Sequence, residues 1–204
     1  MIYLIGLTGN IAAGKSLVGR MLGELGAHVI DADALVRDLQ RKGTPVYADI
    51  VTEFGAGILR PDGEIDRGKL GALVFSDAKA LRRLESIVHP AVGAEIKSQI
   101  STLKSRKTGG RTVIVIEAIK LIEAGLRKQC NSLWVVTARP EVQLDRLMRT
   151  RRLTKADARL RIEAQPPQSD KAALADVLLE NNGTLGQLRE QVKRHWEKIT
   201  TAHS

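Results

Sequence analysis

Lys15 and Ser16 close the run Gly9-Asn10-Ile11-Ala12-Ala13-Gly14-Lys15-Ser16, whose spacing is G-x-x-x-x-G-K-[ST]. Between a strand and a helix, such a run turns successive backbone N–H groups inward at the positive end of a helix dipole, making a cradle for phosphate. Gly9 and Gly14 allow the close backbone approach that a Cβ obstructs. Lys15 is then expected to reach the β- and γ-phosphates of a nucleoside triphosphate, and the Ser16 hydroxyl to bind Mg2+. The bland alternative is a glycine-rich turn that caps a helix and holds no ligand. The motif points to nucleotide phosphate and leaves the reaction open, because GTPases, motor ATPases and small-molecule kinases share it.

Two further groups of residues suit phosphoryl transfer. Asp31 and Asp33 follow the second apolar run. At the carboxyl end of a parallel strand, either could accept a hydroxyl proton or hold Mg2+ through water. Their bland role is to cap a helix that starts at Ala34. Farther along, Arg139, Arg146, Arg149, Arg151, Arg152, Arg159 and Arg161 stand with few acids between them. A mobile arginine segment supplies positive charge to a departing phosphoryl group while excluding water; the rival is a solvated helix face.

These groups need a scaffold, and the hydrophobic pattern predicts one. Residues 1–7 read as a buried strand and 14–25 as a helix with Leu17, Val18, Met21, Leu22 and Leu25 on one side. Gly26 stops that helix, and residues 27–30 form a second strand. Strand, helix, strand implies a parallel sheet, hence the α/β class. Residues 113–116, 132–137 and 177–179 return to the sheet. Helices are expected over 77–87, 91–103, 141–149, 154–164 and 185–198, with a basic, glycine-bearing loop over 104–111.

Composition narrows the classes. The 204 residues suffice for one core domain with insertions, and aromatics at 3% weigh against nucleic-acid binding by base stacking. Cys130 is the single cysteine, so no internal disulfide forms, and no Cys/His spacing suits zinc. No signal sequence or membrane-spanning run is legible, which predicts a soluble, cytoplasmic protein. The net charge of +9 fits nucleic acid, a membrane surface or polyanionic ligands, and by itself separates none of them.

The run Gly6 to Ser16 followed by Asp31-Ala32-Asp33 resembles the dephospho-CoA kinase family. The likeness continues through Gly63 to Leu70, Leu84 to Pro90, Gln143 to Met148, Arg161 to Gln165 and Ala175 to Gly183. The resemblance implies a P-loop three-layer fold with a parallel sheet, a helical acceptor-binding insertion and a small helical lid. Its parts would be a core of residues 1–33, 106–138 and 166–204, an insertion of 34–105 and a lid of 139–165. It implies ATP and Mg2+ as cofactors, and phosphorylation of the ribose 3′-hydroxyl of dephospho-coenzyme A. Carried across by position, Asp33 would be the general base, His89 and Arg161 would serve acceptor binding, and Arg146 would act over the phosphates. Asn181 and Gly183 would lie near adenine, and Glu117 would hold Mg2+ through water.

Two departures stand out. The family often has Asp-x-Pro-Leu-Leu-Phe-Glu after the third strand, where this chain has Glu117-Ala118-Ile119-Lys120-Leu121-Ile122-Glu123. Lys120 there could contact a substrate phosphate or pair with Glu123. The second arginine of the usual Arg-x-x-x-Arg in the lid is Thr150. A kinase for another small acceptor, such as a nucleoside or its monophosphate, remains the near rival. A basic P-loop protein switching on nucleic acid is the remote one; no nucleic-acid or membrane partner is expected, and the oligomeric state is left open.

Overall fold

The computed structural model describes residues 2–105 and 111–201. The chain divides into two compact units, Met1–Asp31 with Lys107–Ser204, and Ala32–Arg106.

The first unit is built on a five-stranded, all-parallel sheet of β1 (Ile2–Thr8), β2 (His28–Asp31), β3 (Thr112–Glu117), β4 (Ser132–Thr137) and β5 (Val177–Glu180). The order is β2-β3-β1-β4-β5. After β1 the chain first fills one side of the sheet and then the other, so the carboxyl end of β1 is a topological switch point, where such sheets bind ligands. Its helices are α1 (Lys15–Glu24), α6 (Pro140–Arg151), α7 (Lys155–Glu163), α8 (Gln168–Ala172) and α9 (Leu185–Thr201).

The strands are near-continuous apolar runs because both faces are covered. Ile5, Leu7, Val113, Val115, Trp134, Val136 and Leu179 form one buried layer with Val18, Met21 and Leu22 of α1 and Leu188 and Val192 of α9. On the opposite face the backbone of Gly6 is approached closely: a Cβ there would lie 3.0 Å from both Cys130 Sγ and Leu121 Cδ2. Burial raises the Cys130 thiol to about 11, with nearby Arg127 opposing the rise.

The second unit holds α2 (Ala32–Leu39), α3 (Pro45–Phe54), α4 (Arg67–Ser76) and α5 (Ala78–Ser105). Thr44 caps α3 by accepting from Tyr47 N, with Pro45 in the first turn, and Asp66 caps α4. α5 packs against α2, α3 and α4.

Three sequence expectations are corrected here. The helices over 77–87 and 91–103 are one helix of 28 residues with Pro90 inside it. A proline inside a helix costs about 3 kcal/mol. Val88, Val92, Ile96 and Ile100 are all buried along one stripe of α5, and burying a side chain of this kind contributes about 1.5–3 kcal/mol. The stripe therefore outweighs the proline. Helix α2 starts at Ala32 rather than Ala34, so Asp33 is a first-turn residue and not the cap. Its carboxylate there interacts favourably with the helix dipole. Of the loop expected over 104–111, Lys104 and Ser105 belong to α5, and residues 106–110 lie outside the described residues.

Candidate active site

The loop between β1 and α1 takes its path from its glycines. A Cβ on Gly9 would overlap the carbonyl oxygen of Val136 in β4. Gly14 has φ +108 and a Cβ there would overlap the side-chain amide of Asn181. Ala12 also sits in the left-handed region, at φ 57. Within the loop Ala13 N donates to Asn10 O at 3.1 Å. Helix α1 then opens with no acidic residue in its first turn, so the positive end of its dipole is left for an anion.

Lys15 and Ser16 converge on one carboxylate oxygen. Lys15 Nζ donates to Glu117 Oε1 at 2.7 Å and Ser16 Oγ donates to the same atom at 2.6 Å. Parallel register puts Glu117 beside Leu7, at the end of β3 next to the start of the loop. Gly19, one turn into α1, makes room for it: a Cβ there would lie 2.5 Å from Glu117 Oε2. A cavity of about 350 Å³ opens beside them, lined in part by Ser16, Gly19, Arg20, Asp31 and Glu117.

The back of the loop is braced. Arg146 Nη1 of α6 donates to Ala12 O at 3.1 Å and Ala13 O at 3.2 Å. Its Nη2 donates to Asn181 O at 2.9 Å and Asn181 Oδ1 at 3.0 Å, and Asn181 Nδ2 in turn donates to Ala13 O at 2.8 Å. Burial pulls the guanidinium of Arg146 below its usual value, and neighbouring Asp145 opposes this. The loop tip is tied as well. Ile11 N donates to Gln165 Oε1 at 2.6 Å, Asn10 Nδ2 to Pro166 O at 2.9 Å, and Gln143 Nε2 to Ile11 O at 2.9 Å.

The structure thus brings Lys15, Ser16 and Glu117 into one hydrogen-bonded group, and Ala12, Ala13, Arg146 and Asn181 into another, with Gly14 packed close to Asn181. Gly183 lies in the turn before α9, where a Cβ would overlap Gln187 Oε1. Arg139, Arg149, Arg151, Arg152, Arg159 and Arg161 are exposed. In the other unit, Asp33 and His89 are half-buried, Asp33 in the first turn of α2 and His89 in the middle of α5. The sequence reading missed Gly19, Gln143, Gln165 and Lys171. Gly19 carries only a faint signal, since a glycine inside a helical pattern costs about 1 kcal/mol against alanine, and Gly23 in the same helix has no such close neighbour. Lys171 is buried, donating to Ile119 O at 2.6 Å and lying 3.6 Å from Glu123 Oε1, so Glu123 has Lys171 as a partner.

The donor set fits the expected cofactors. No cluster of three or more His, Cys, Asp or Glu that could hold a metal occurs among the described residues. A hydroxyl and one carboxylate are what Mg2+ takes from a protein when phosphates and waters supply its remaining ligands.

The family model described as dephospho-CoA kinase matches residues 3–187. The chain belongs to the dephospho-CoA kinase family. It is 47% identical to dephospho-CoA kinase of Symbiobacterium thermophilum over 193 residues, covering 95% of this chain and 80% of that one. To dephospho-CoA kinase of Geobacter sulfurreducens it is 43% identical, covering 96% and 98%. Among solved structures it is similar to TT1252 from Thermus thermophilus, with TM-score 0.79, 29% identity and coverage of 99% and 98%. The fold also matches dephospho-CoA kinase from Campylobacter jejuni, at TM-score 0.70 and 24% identity, with full coverage of both chains. Shikimate kinase from Acinetobacter baumannii shares the P-loop α/β fold at TM-score 0.54 and 19% identity, covering 100% and 96%. No described helix is long and apolar enough to cross a membrane.

Proposed function

We propose that this member of the family transfers the γ-phosphoryl group of ATP to the ribose 3′-hydroxyl of dephospho-coenzyme A, giving coenzyme A and ADP. The observation that carries the proposal is the convergence of Lys15 and Ser16 on Glu117 Oε1 at the head of α1. It supports reading a phosphate loop with a pair able to hold a metal, in a chain related to a dephospho-CoA kinase along 95% of its length.

The loop amides of residues 9–16 cradle the phosphates, and Lys15 leaves Glu117 to meet the β- and γ-phosphate oxygens. Ser16 Oγ, and Glu117 through water, would hold Mg2+, which neutralises charge on those oxygens. Asp33 accepts the proton of the 3′-hydroxyl as that oxygen attacks. Arg146 keeps the loop in its binding shape by holding the Ala12 and Ala13 carbonyls, and so acts by positioning. The exposed arginines of residues 139–161, Arg161 among them, supply charge to the transferring group as they close over it. His89 and Arg161 contribute to acceptor binding, and Asn181 and Gly183 to the adenine side. The reaction is assigned to the cytoplasm.

The test is ADP release from Mg2+-ATP with and without dephospho-coenzyme A, with the product weighed by mass spectrometry. Acceptor-dependent release and a product one phosphate heavier are expected. Folded, ATP-binding protein that releases no ADP with this acceptor would overturn the proposal. Asp33→Asn is expected to bind ATP normally and to lose turnover severely.

A further inference from the structure

The helical unit contains a cavity of about 330 Å³ lined by Gln40, Arg60, Ile65, Asp66 and Arg67. Its walls come from the end of α2, the turn over residues 60–65 and the first turn of α4. The turn is rigidly tied. Leu59 and Ile65 form an antiparallel bridge, Arg60 N donates to Glu64 O at 2.9 Å, and Asp66 N donates to Ile58 O at 2.8 Å. Arg60, inside this short hairpin, and Arg67, just after it at the start of α4, both line the cavity.

The acids around this cavity are already engaged with backbone. Asp62 Oδ1 accepts from Glu64 N at 3.0 Å and Glu64 Oε2 from Lys42 N at 3.3 Å. Asp66 Oδ1 accepts from Gly68 N at 2.9 Å and Lys69 N at 3.1 Å. Lys42 Nζ and Lys69 Nζ add cations by donating to Asp62 O and Leu59 O, each at 3.3 Å. Arg60 pairs with Asp62 at 3.3 Å, both side chains being more than half exposed, a pair that an anion exchanges at little cost. The Arg67 side chain is exposed, and its guanidinium makes no hydrogen bond or ion pair among the described residues. An unpartnered guanidinium fork beside a cavity, with a second one weakly engaged, suits phosphate oxygens.

We infer that this cavity takes the diphosphate of the acceptor, with Arg67 as its principal contact and Arg60 as the second. The inference rests on the proposed acceptor, whose diphosphate hangs on the 5′ carbon of the ribose that is phosphorylated. Helix α2 supplies the ruler. Asp33 stands in its first turn and Gln40, just past its last residue, lines the cavity. Seven residues of helix span about 10 Å, the scale of one ribose plus one diphosphate. The phosphates of ATP have their own cradle in the other unit, so a second phosphate site in the helical unit answers to the acceptor.

The test uses the full chain and Arg67→Gln, with ATP binding and thermal melting as controls for the fold. The KM for dephospho-coenzyme A is expected to rise about tenfold, one charge-assisted pair, while kcat and the KM for ATP stay within about twofold. An unchanged acceptor KM overturns the inference. Calorimetry with inorganic pyrophosphate, the phosphate loop being filled with a non-hydrolysable ATP analogue, reads the cavity without turnover. Arg67→Gln should weaken that binding about tenfold, and dephospho-coenzyme A should displace the pyrophosphate. Equal pyrophosphate affinity in both proteins overturns the anion site, and binding that dephospho-coenzyme A does not displace overturns its assignment to the acceptor. Weakened pyrophosphate binding in an enzyme that turns over no dephospho-coenzyme A would keep the anion site and place the failure in the proposed function.

Discussion

Lys15 Nζ lies 2.7 Å from Glu117 Oε1, joining the first residue of α1 to the last of β3 across 102 positions of sequence. Both side chains are almost wholly buried, at 10% and 5% exposure. Removing Glu117 takes away the oxygen to which both Lys15 and Ser16 donate, and a hydrogen bond to a charged group contributes about 1.5–3 kcal/mol. Glu117→Ala is therefore expected to destabilise the nucleotide-free protein by about 3 kcal/mol, read by urea unfolding. Glu117→Gln keeps the shape and one acceptor oxygen, and should unfold at a higher urea concentration than Glu117→Ala. It is expected to need more Mg2+ for half-maximal rate, and a Mg2+ titration indistinguishable from wild type would remove Glu117 from the metal site.

Gly19→Ala separates stability from function. In an exposed helix interior this change stabilises by about 1 kcal/mol. Here the new methyl would lie 2.5 Å from Glu117 Oε2, so the carboxylate must move away from Ser16 and Lys15. The expected result is a kcat lowered at least about tenfold, roughly 1.4 kcal/mol of transition-state stabilisation, with folding intact. Steady-state kinetics beside a circular-dichroism melt checks both, and full activity would show that the carboxylate's place is immaterial.

Arg146→Lys tests the brace. Arg146 reaches Ala12 O, Ala13 O and both oxygens of Asn181 with one planar fork, which an ammonium cannot span. Loss of one or two such bonds, at about 1 kcal/mol each, should weaken ATP binding about tenfold. Equilibrium binding of ATP without acceptor reads this directly. An unaltered Kd would confine Arg146 to a role in transfer.

Cys130 sets a pH dependence. Its thiol is raised from 9.0 to about 11 by burial, so the folded state holds its proton longer than the unfolded chain does. The stability from this group is complete below pH 9 and drains away as pH rises through about 11. Urea melts of wild type and Cys130→Ala between pH 8 and pH 10.5, about the span of the shift, should differ in slope, wild type falling more steeply. The native thiol should also react with Ellman's reagent far more slowly than the unfolded chain at pH 8, about where free thiols begin to ionise. Matching rates would mean that the thiol is not buried.

The phosphate loop was readable because its chemistry is local. Gly9, Gly14, Lys15 and Ser16 act through backbone angles and a helix start contained in eight consecutive residues, and no distant contact is needed to recognise them. The strands were readable for a similar reason, since burial on both faces leaves apolar runs. Pro90 misled because a local rule met a tertiary opponent: the breaker is visible in sequence, whereas the buried stripe of α5 exists only once α2, α3 and α4 lie against it. Among seven arginines of similar sequence surroundings, Arg146 differs from its exposed neighbours by the turn of α6 toward Asn181 and the loop. The family could be recognised from short runs in order along the chain. Which atoms hold Lys15, Ser16 and the loop carbonyls depended on the parallel register of β1 with β3 and on the helices packed beside them. Contacts between residues so far apart in sequence leave no local pattern, because it is the packing of the sheet that brings them together.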